Sequence, residues 1–253
     1  MKNQAQLPPC CLPVYFGAVD STNDIARTMA AEGAPHLTIV IAETQRAGRG
    51  RRGRNWVSPP GNLYFSAVLR PQCPVAVAAQ IGFLAALTIR ETIGDFLGTT
   101  PSVHCKWPND VLVDGAKVSG ILLESSATGA DAVDWLVLGI GVNIEHAPSD
   151  TERPATSLAE AGVAGCTPRR FLEGWVPRFV DWYGRWQSEG FDPVRAAWLA
   201  HAADRGGQVE VRLADSILHG RFTDLDSSGA LVLDQESGQR RLIAAGDIFA
   251  TGT

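Results

Sequence analysis

The stretch from Arg46 to Arg54 concentrates positive charge and backbone freedom, with the sequence Arg-Ala-Gly-Arg-Gly-Arg-Arg-Gly-Arg. Guanidinium groups bind carboxylates and phosphates through paired donors, and glycines allow a backbone to approach a ligand closely. This composition predicts a cationic flap that closes over an anionic ligand. A nucleic-acid-binding segment and a merely solvated basic loop have the same composition, so the stretch alone leaves three interpretations open.

A lysine begins the sequence Lys106-Trp107-Pro108-Asn109-Asp110. It ends a predicted strand over 102–106, and the proline restricts the turn that follows. A lysine at such a strand end can point into a cleft and offer its charge to a carboxylate or an α-phosphate. A surface turn around a buried tryptophan is the alternative interpretation.

Three small polar residues, Ser21, Thr22 and Asn23, begin a predicted helix that extends to about Gly33. Ser21 and Asp24 have the spacing of a capping box, which predicts that Ser21 caps this helix. The remaining polar groups and the free N–H groups of the first helical turn can also bind the polar head of a ligand. The two interpretations are compatible.

Two glycine-containing strands follow each other along the chain, Lys117–Glu124 and Gly139–Asn143. Their glycines, Gly120, Gly139 and Gly141, remove side chains where a flat ligand can lie close to the backbone. Glycines at bulges or barrel corners give the same pattern. Taken alone, these residues favour the structural explanation.

Hydrophobic periodicity predicts the elements that must position these residues. Strands are expected at 13–19, 37–42, 62–69, 102–106, 111–113, 117–125 and 133–143, with a hairpin turn at Asp114-Gly115. Helices are expected at 21–33, 74–97, 168–189 and 193–201, and a long loop without internal structure at 44–61. The aromatic residues of 168–189 have helical spacing, which is typical of core packing.

The pattern changes after Arg205-Gly206-Gly207. Short strand-like segments, separated by Gly, Asp and Ser, continue to the end of the chain at 208–213, 217–225, 230–235, 239–245 and 247–250. This pattern predicts a small β-barrel of SH3 size over 206–253, preceded by a larger domain over 1–205.

Composition argues against several functional classes. The net charge of -5 disfavours general affinity for polyanions. The five cysteines and five histidines show no metal-ligand spacing, so no metal site is predicted and the cysteines are expected to be free, mostly buried thiols. No apolar run approaches the length of a membrane helix, and the first residues do not resemble a secretion signal. We therefore expect a cytoplasmic protein without a membrane partner.

Taken in chain order, the motifs described above resemble the hallmarks of the bacterial biotin–protein ligases, and Glu43-Thr44-Gln45-Arg46-Ala47, which leads into the arginine-rich stretch, matches them as well. The resemblance covers about residues 14–250, and the combination is specific although each motif is modest alone. It implies an α+β fold: a mixed β-sheet flanked by helices, related to the class II aminoacyl-tRNA synthetases, with a small C-terminal SH3-like β-barrel.

The resemblance implies roles for individual residues on the biotin side of a site. Ser21-Thr22-Asn23 match the segment beside the biotin ureido ring, and Gln45 matches a polar residue of the biotin pocket. Arg49-Gly50-Arg51 match the loop that binds biotin and its adenylate. Lys106 matches the lysine that contacts the biotin carboxyl end and the phosphate. Lys106 and the two arginines are therefore the catalytic candidates.

Other residues match the nucleotide side of the family's site. Trp56 resembles the aromatic residue that packs near the adenine. Lys117, Gly120 and Asn143 fall in the strands that line the nucleotide.

The implied enzyme uses ATP and Mg²⁺ to convert biotin into biotinyl-5'-AMP. It then transfers biotin to a lysine of the biotin carboxyl carrier protein of acetyl-CoA carboxylase. The first alternative is a lipoate–protein ligase of the same fold. The second is a nucleic-acid-binding protein that uses the arginine-rich stretch.

Some members of the family repress transcription through an N-terminal winged helix. The residues before Ser21 include Pro8, Pro9 and Pro13 and cannot supply the helices of such a module. We therefore expect the monofunctional form, without sequence-specific DNA binding, as a monomer or a weak homodimer.

Overall fold

A seven-stranded mixed sheet forms the framework of the N-terminal part of the chain. The computed structural model describes residues 4–97, 101–127 and 132–251, so the outermost residues of both predicted domains lie outside the described residues. The sheet consists of β1 Leu12–Val19, β2 Thr38–Gln45, β3 Leu63–Leu69, β4 Val103–Lys106, β5 Asp110–Val113, β6 Ala116–Ser126 and β7 Trp135–Val142. The strand order is β1-β2-β3-β7-β6-β5-β4, and only β1 and β2 pair in parallel among these neighbours.

Helices cover both faces of this sheet. They are α1 Thr22–Ala31, α2 Val75–Ala78, α3 Ile81–Gly94, α4 Pro168–Glu189 and α5 Asp192–Ala200. α1 packs on β2, β3 and β7, where Val40 and Val68 point towards it. The alternate residues Ile39 and Ala67 join the larger core, in which α3 contacts β4, β5 and β6 and is itself covered by α4 and α5. The predicted mixed sheet flanked by helices is confirmed.

The predicted helix over 74–97 divides into α2 and α3, joined by a tighter turn in which Gln80 N–H donates to Val77 O at 3.0 Å. Val75–Phe96 is long and apolar enough to cross a membrane by length and composition, so the expectation that no such run exists is wrong. However, 72% of its most apolar window is buried inside the protein. Its apolar character therefore reflects its place between the sheet and α4.

The aromatic residues of α4 confirm the prediction of core packing. Phe171, Trp175, Phe179 and Trp186 are buried, and the rings of Trp175 and Phe179 stack with centroids 4.7 Å apart. Trp182 is only partly buried and donates from its indole nitrogen to the Glu91 carboxylate at 3.2 Å. The stripe thus fixes α4 against the sheet rather than forming a binding surface.

Local turn chemistry agrees with the sequence except at one helix end. Gly33 at φ 92° follows α1, and Asp114 at φ 47° with Gly115 at φ 80° forms the predicted hairpin turn between β5 and β6. Ser21 occupies the cap position of α1 but makes no side-chain capping bond, so the predicted capping box is wrong. Its expected partner Asp24 is used elsewhere, as described below.

All five cysteines are free, as predicted, but only Cys105 is fully buried. The expectation of mostly buried thiols is therefore wrong.

The C-terminal part contains a second, five-stranded antiparallel sheet in the order β11-β10-β9-β8-β12. Its strands are β8 Gln208–Arg212, β9 Ile217–Leu225, β10 Leu231–Asp234, β11 Arg240–Ile243 and β12 Asp247–Ala250. Each predicted strand is present, and together they form the small SH3-like β-structure expected there. Its inward-facing residues, including Val209, Phe222 and Leu233, are buried and continuous with the main core.

Candidate active site

A polar cluster lies where α1 begins, formed by Thr22, Asn23, Gln45 and Ser66. The Gln45 side-chain oxygen accepts from Thr22 N–H at 2.9 Å and from the Thr22 hydroxyl at 3.1 Å. The Ser66 hydroxyl lies 2.8 Å from Thr22 Oγ1 and 2.5 Å from Asn23 Oδ1. Most of these groups are buried, so their mutual hydrogen bonds hold donors and acceptors in fixed positions. Ser21, at 3% exposure, lies directly before them.

Asn23 also connects the polar cluster to the sheet. Its Nδ2 donates to a carboxylate oxygen of Glu124 in β6 at 2.7 Å. A Cβ at Gly139 in β7 would collide with the Asn23 amide group. The glycine at this position therefore makes room for Asn23.

The arginine-rich stretch forms a closed loop that has internal structure, contrary to the expectation for 44–61. Arg49 and Asn55 form an isolated antiparallel bridge, and Arg51–Gly53 form a 3-10 turn. At the exit, Trp56 N–H donates to Gly48 O at 2.9 Å. Backbone hydrogen bonds thus close the loop around a turn in which Arg52 at φ 55° and Gly53 at φ 73° are left-handed.

Arg49 is held by carboxylates in this arrangement. Its two terminal nitrogens donate to the two oxygens of Asp24, each at 2.7 Å, and one of them lies 3.8 Å from Glu124. The hydrogen bond from Arg49 lowers the pKa of Asp24, which is therefore ionised at neutral pH. Asp24 consequently anchors the arginine loop to α1 instead of completing a capping box.

Arg51 has no carboxylate in contact with it among the residues that the structure describes. It donates to the Asn109 side-chain oxygen at 3.2 Å and to Gly246 O at 3.5 Å. It makes no ion pair with any residue that the structure describes, and burial lowers the pKa of its guanidinium. Gly50, just before it, donates from its N–H to Arg54 O at 2.7 Å, which fixes the turn. A partly buried guanidinium without a contacting anion is electrostatically suited to bind one.

Asp247 at the start of β12 fastens the loop to the C-terminal sheet. Arg52 and Arg54 donate to the same carboxylate oxygen at 3.2 and 2.7 Å, and the Asp247 side chain is 10% exposed. Burial acts to raise the pKa of Asp247, but the hydrogen bond from Arg54 and the charges of the arginines outweigh it and lower the pKa. The loop therefore closes against a carboxylate that is charged at neutral pH.

Lys106 ends β4, is 8% exposed, and places its Nζ 2.6 Å from a carboxylate oxygen of Asp204. The next residue, Trp107, is buried and donates from its indole nitrogen to Gly229 O at 3.2 Å. The turn thus contains the buried tryptophan of one interpretation and the cleft-facing lysine of the other, while the action of the lysine on a ligand stays a prediction. The tryptophan secures the turn to the C-terminal part, and the lysine faces a cavity.

The rest of this turn, which connects β4 to β5, contacts β6. Asn109 donates from its side chain to Ile121 O at 2.6 Å. Asp110 forms an ion pair of 2.6 Å with Lys117, and both side chains are largely buried. Lys117 is thereby directed along the same side of the sheet as Lys106.

The indole of Trp56 lies over two glycines that face each other across β6 and β7. Gly120 and Gly141 are register partners, and a Cβ at Gly120 would lie 3.0 Å from the ring, whereas one at Gly141 would collide with it. Lys117 Nζ is 5.4 Å from the ring centroid, within the range of a cation–π contact. The glycine pair therefore forms a flat floor that an aromatic side chain of the loop covers, whereas the residues taken alone favour glycines at a bulge or barrel corner.

Asn143, unlike the other candidate residues, is bonded to the backbone of the segment that follows β7. It is 2% exposed, and its side chain donates to Thr156 O at 3.1 Å. Its backbone accepts from Leu158 N–H at 2.9 Å. Asn143 thus holds the segment after β7 against the sheet.

A cavity of about 580 Å³ opens beside Lys106 and Lys117. Its charged lining consists of these two lysines, Arg153, Asp110 and Asp204, and residues of β12 close one side. Three cations thus face two carboxylates. Such a cavity favours an anionic ligand, and its two carboxylates can also coordinate a hard cation through their oxygens.

The structure brings most of the candidate residues together. Thr22, Asn23 and Gln45 meet in the polar cluster, and Lys106 and Lys117 meet in the cavity. The sequence motifs missed the acidic partners and one cation: Asp24, Glu124, Asp204, Asp247 and Arg153. The sequence assigns Asp24 only to a helix cap, and Glu124 ends the Lys117–Glu124 strand without an assigned role. Asp204, Asp247 and Arg153 are single charged residues outside every recognised motif, whereas Asp110 lies within one. The described residues contain no group of three or more His, Cys, Asp or Glu side chains able to hold a metal ion.

Comparison with protein families gives two adjoining matches. Residues 56–200 match the model of the biotin/lipoate A/B protein ligase family, and residues 206–250 match the biotin protein ligase C-terminal domain.

Comparison with individual proteins agrees. The chain is 42% identical over 239 residues to the biotin–[acetyl-CoA-carboxylase] ligase of Paracoccus denitrificans, covering 92% of this chain and 98% of that protein. It is 31% identical to the bifunctional ligase/repressor BirA of Bacillus subtilis, covering 92% of this chain and 72% of that protein. Among solved structures, the biotin protein ligase of Aquifex aeolicus in complex with biotin and ATP matches with a TM-score of 0.80 and 26% identity, over 96% of this chain and 99% of that chain.

Proposed function

The chain belongs to the biotin–protein ligases of the biotin/lipoate A/B protein ligase family, and from that premise we propose how its residues act. The enzyme condenses biotin with ATP to biotinyl-5'-AMP and then transfers biotin to a lysine of an acceptor protein. The observation that carries this proposal is the convergence of distant motifs. These motifs lie together on one side of the sheet: the polar cluster, the glycine floor under Trp56, the Arg51 guanidinium and the cavity beside Lys106.

The polar cluster is the proposed site for the biotin ring, with Ser21 beside it. A ureido group has both N–H donors and a carbonyl acceptor, which complements the hydroxyl and amide groups of Thr22, Asn23 and Gln45. Trp56, Gly120 and Gly141 supply the adjoining flat surface for the nucleotide. Asn143 acts here as a positioning residue.

In the first half-reaction, the biotin carboxylate attacks the α-phosphate of ATP. Both groups are anions, so cations must offset their repulsion and stabilise the charge that develops in the transition state. Arg51 and Lys106 are the proposed contacts, Arg51 because it makes no ion pair within the described part of the chain and Lys106 because it lines the cavity. Arg49, which Asp24 holds, positions the loop and takes part in binding only through that loop.

Closure of the arginine loop protects the product. Biotinyl-5'-AMP is a mixed anhydride that water hydrolyses, so the site must exclude water until the acceptor arrives. The contacts from Arg52 and Arg54 to Asp247 hold the loop shut in this structure. We expect the C-terminal sheet to retain the intermediate by this route.

The cavity fits the Mg²⁺ that accompanies ATP. Mg²⁺ usually takes one or two protein carboxylates together with phosphate oxygens and water. Asp110 and Asp204 are the carboxylates available in the cavity, each paired at 2.6 Å with a lysine that a phosphate can also engage. Bound there, the ion would neutralise charge on the β- and γ-phosphates.

In the second half-reaction, a lysine amine of the biotin carboxyl carrier protein attacks the acyl carbon of biotinyl-5'-AMP. AMP is a good leaving group, so positioning of the amine suffices and no Ser/His/Asp arrangement is required.

The remaining expectations complete the proposal. The two domains would meet between residues 205 and 206. The protein would act in the cytoplasm as a monomer or weak homodimer. It would not bind DNA sequence-specifically, a proposal supported by the net charge of -5, which disfavours affinity for polyanions. An anisotropy titration at physiological salt tests the last point: tight binding to a biotin-operon control region that a scrambled duplex cannot compete away would contradict it.

ATP–pyrophosphate exchange tests the reaction and its substrate. Exchange that requires biotin and is not supported by lipoate is the expected result. Exchange with lipoate but not biotin would instead establish the lipoate ligase alternative.

A further inference from the structure

Arg153 lies in the segment between β7 and α4 and lines the cavity beside Lys117. The residues that follow it are hydrogen-bonded to β6: Lys117 N–H donates to Pro154 O at 2.8 Å, and Thr156 N–H donates to Lys117 O at 2.9 Å. The Arg153 guanidinium lies 3.8 Å from the ring centroid of Phe249 in β12. Backbone pairing and stacking on an aromatic ring therefore hold this side chain in place.

The charge of Arg153 is not balanced by a contact. The other two cations of the cavity, Lys106 and Lys117, each lie 2.6 Å from a carboxylate oxygen. Arg153 makes no ion pair within the described ranges, and its Nη2 is buried there without a hydrogen-bond partner. Because a guanidinium stays protonated in proteins, the cavity keeps one positive charge and unused donors.

We propose that Arg153 binds the β- and γ-phosphates of ATP and the pyrophosphate formed from them. This inference rests on the proposed function. A biotin carboxylate oxygen forms a bond to the α-phosphorus, and the bond from that phosphorus to the oxygen bridging to the β-phosphate breaks. The electron pair of the broken bond leaves with pyrophosphate, and the charge gained there is the charge that Arg153 neutralises.

The cavity favours a polyphosphate over a single carboxylate or phosphate. Its volume of about 580 Å³ is large for one small anion. Its three cations come from three separate segments, β4, β6 and the loop after β7, so an extended anion can contact all of them. The planar fork of a guanidinium also matches the paired oxygens of a phosphate.

A matched control is available on the same aromatic ring. Arg212 places its guanidinium 3.9 Å from the Phe249 centroid. It is paired with Glu152 at 2.8 Å and Glu210 at 2.6 Å, and it does not line the cavity. Arg212→Gln removes an arginine stacked on Phe249 while leaving Arg153, the proposed phosphate-binding residue, in place.

The experiment is biotin-dependent ATP–pyrophosphate exchange in the full chain, with ATP, pyrophosphate and biotin varied separately. Arg153→Gln should raise KM for pyrophosphate and for ATP about 10- to 100-fold, the usual effect of losing hydrogen bonds to a charged group. KM for biotin and inhibition by AMP, which lacks the β- and γ-phosphates, should not change. Arg153→Lys should recover part of the loss, and Arg212→Gln should match the parent.

Two results would overturn the inference. A folded Arg153→Gln protein with parental KM values for ATP and pyrophosphate overturns the role of Arg153 while leaving the proposed function intact. A parent protein without biotin-dependent exchange overturns both. If Arg153→Gln does not fold, Phe249→Leu takes its place. Displacing the guanidinium should then raise the same two KM values, and unchanged values overturn the inference.

Discussion

Replacing Lys106 by alanine should slow adenylate formation by about 10²–10³-fold, corresponding to about 2.7–4 kcal/mol for one donor aimed at developing charge. The side chain is largely buried at the end of β4 and lines the cavity proposed for the phosphates. In that position its charge would be only weakly screened by water.

The same substitution also leaves the Asp204 carboxylate without its partner at 2.6 Å. Breaking a fully buried ion pair costs about 3–5 kcal/mol, whereas an exposed pair contributes about 0–1 kcal/mol. The two side chains are 10% and 19% exposed and border an open cavity. We therefore expect an intermediate loss in the free energy of unfolding, about 1–3 kcal/mol.

A double variant separates these two effects. Asp204→Asn combined with Lys106→Ala removes the unpaired carboxylate and should recover much of the lost stability in a urea titration. Single-turnover formation of biotinyl-5'-AMP should nevertheless stay slow, because the missing cation is not replaced. If the double variant forms the adenylate as fast as Asp204→Asn alone, Lys106 acts only by balancing Asp204 and the catalytic assignment is wrong.

Three further predictions concern the arginine loop and the floor that it covers. Arg51→Ala should release biotinyl-5'-AMP faster and label bystander lysines while biotin affinity changes little; adenylate leakage equal to that of the parent would remove the role of Arg51 in retention. Gly141→Ala should displace the Trp56 indole, cost about 1–3 kcal/mol of stability through overpacking and raise KM for ATP, whereas Gly184→Ala, where a Cβ meets nothing within 4 Å, should not. Folding lowers the pKa of Asp247. The stabilisation that its ionised carboxylate gives to the folded protein is therefore present above the unfolded pKa of about 3.9 and is lost as pH falls through the folded pKa. The stability difference between the parent and Asp247→Asn should therefore be largest near neutral pH and shrink below about pH 4, and a difference that persists there would show that the carboxylate charge is not the cause.

The strands and helices were largely predictable because their signals are local. The strand over 217–225 and the helix over 168–189 have the predicted bounds, and the Asp114-Gly115 turn follows from residues that accept positive φ. The prediction fails where a polar side chain has a choice of partners. Asp24 has capping-box spacing, yet a guanidinium twenty-five residues away offers it two charged hydrogen bonds at 2.7 Å.

The candidate site shows the same division. Motif residues such as Lys106 and Gln45 could be identified because their types recur at recognisable spacing. Their partners could not, since they reach the site only through tertiary contacts. Asp204 follows residues 201–203, which pair with Cys105 in β4, and Asp247 arrives with the C-terminal sheet. The prediction for the loop over 44–61 fails for the same reason: its arginines suggest mobility, but the carboxylates of Asp24 and Asp247 hold it in place.

The most direct test of the central claim is the intact mass of a biotin carboxyl carrier domain after incubation with this protein, biotin and ATP. The carrier should gain one biotinyl group on one lysine, dependent on ATP, and should gain none when that lysine is replaced by arginine. A carrier whose mass stays unchanged, with the ligase folded and ATP and biotin in excess, would contradict the assignment.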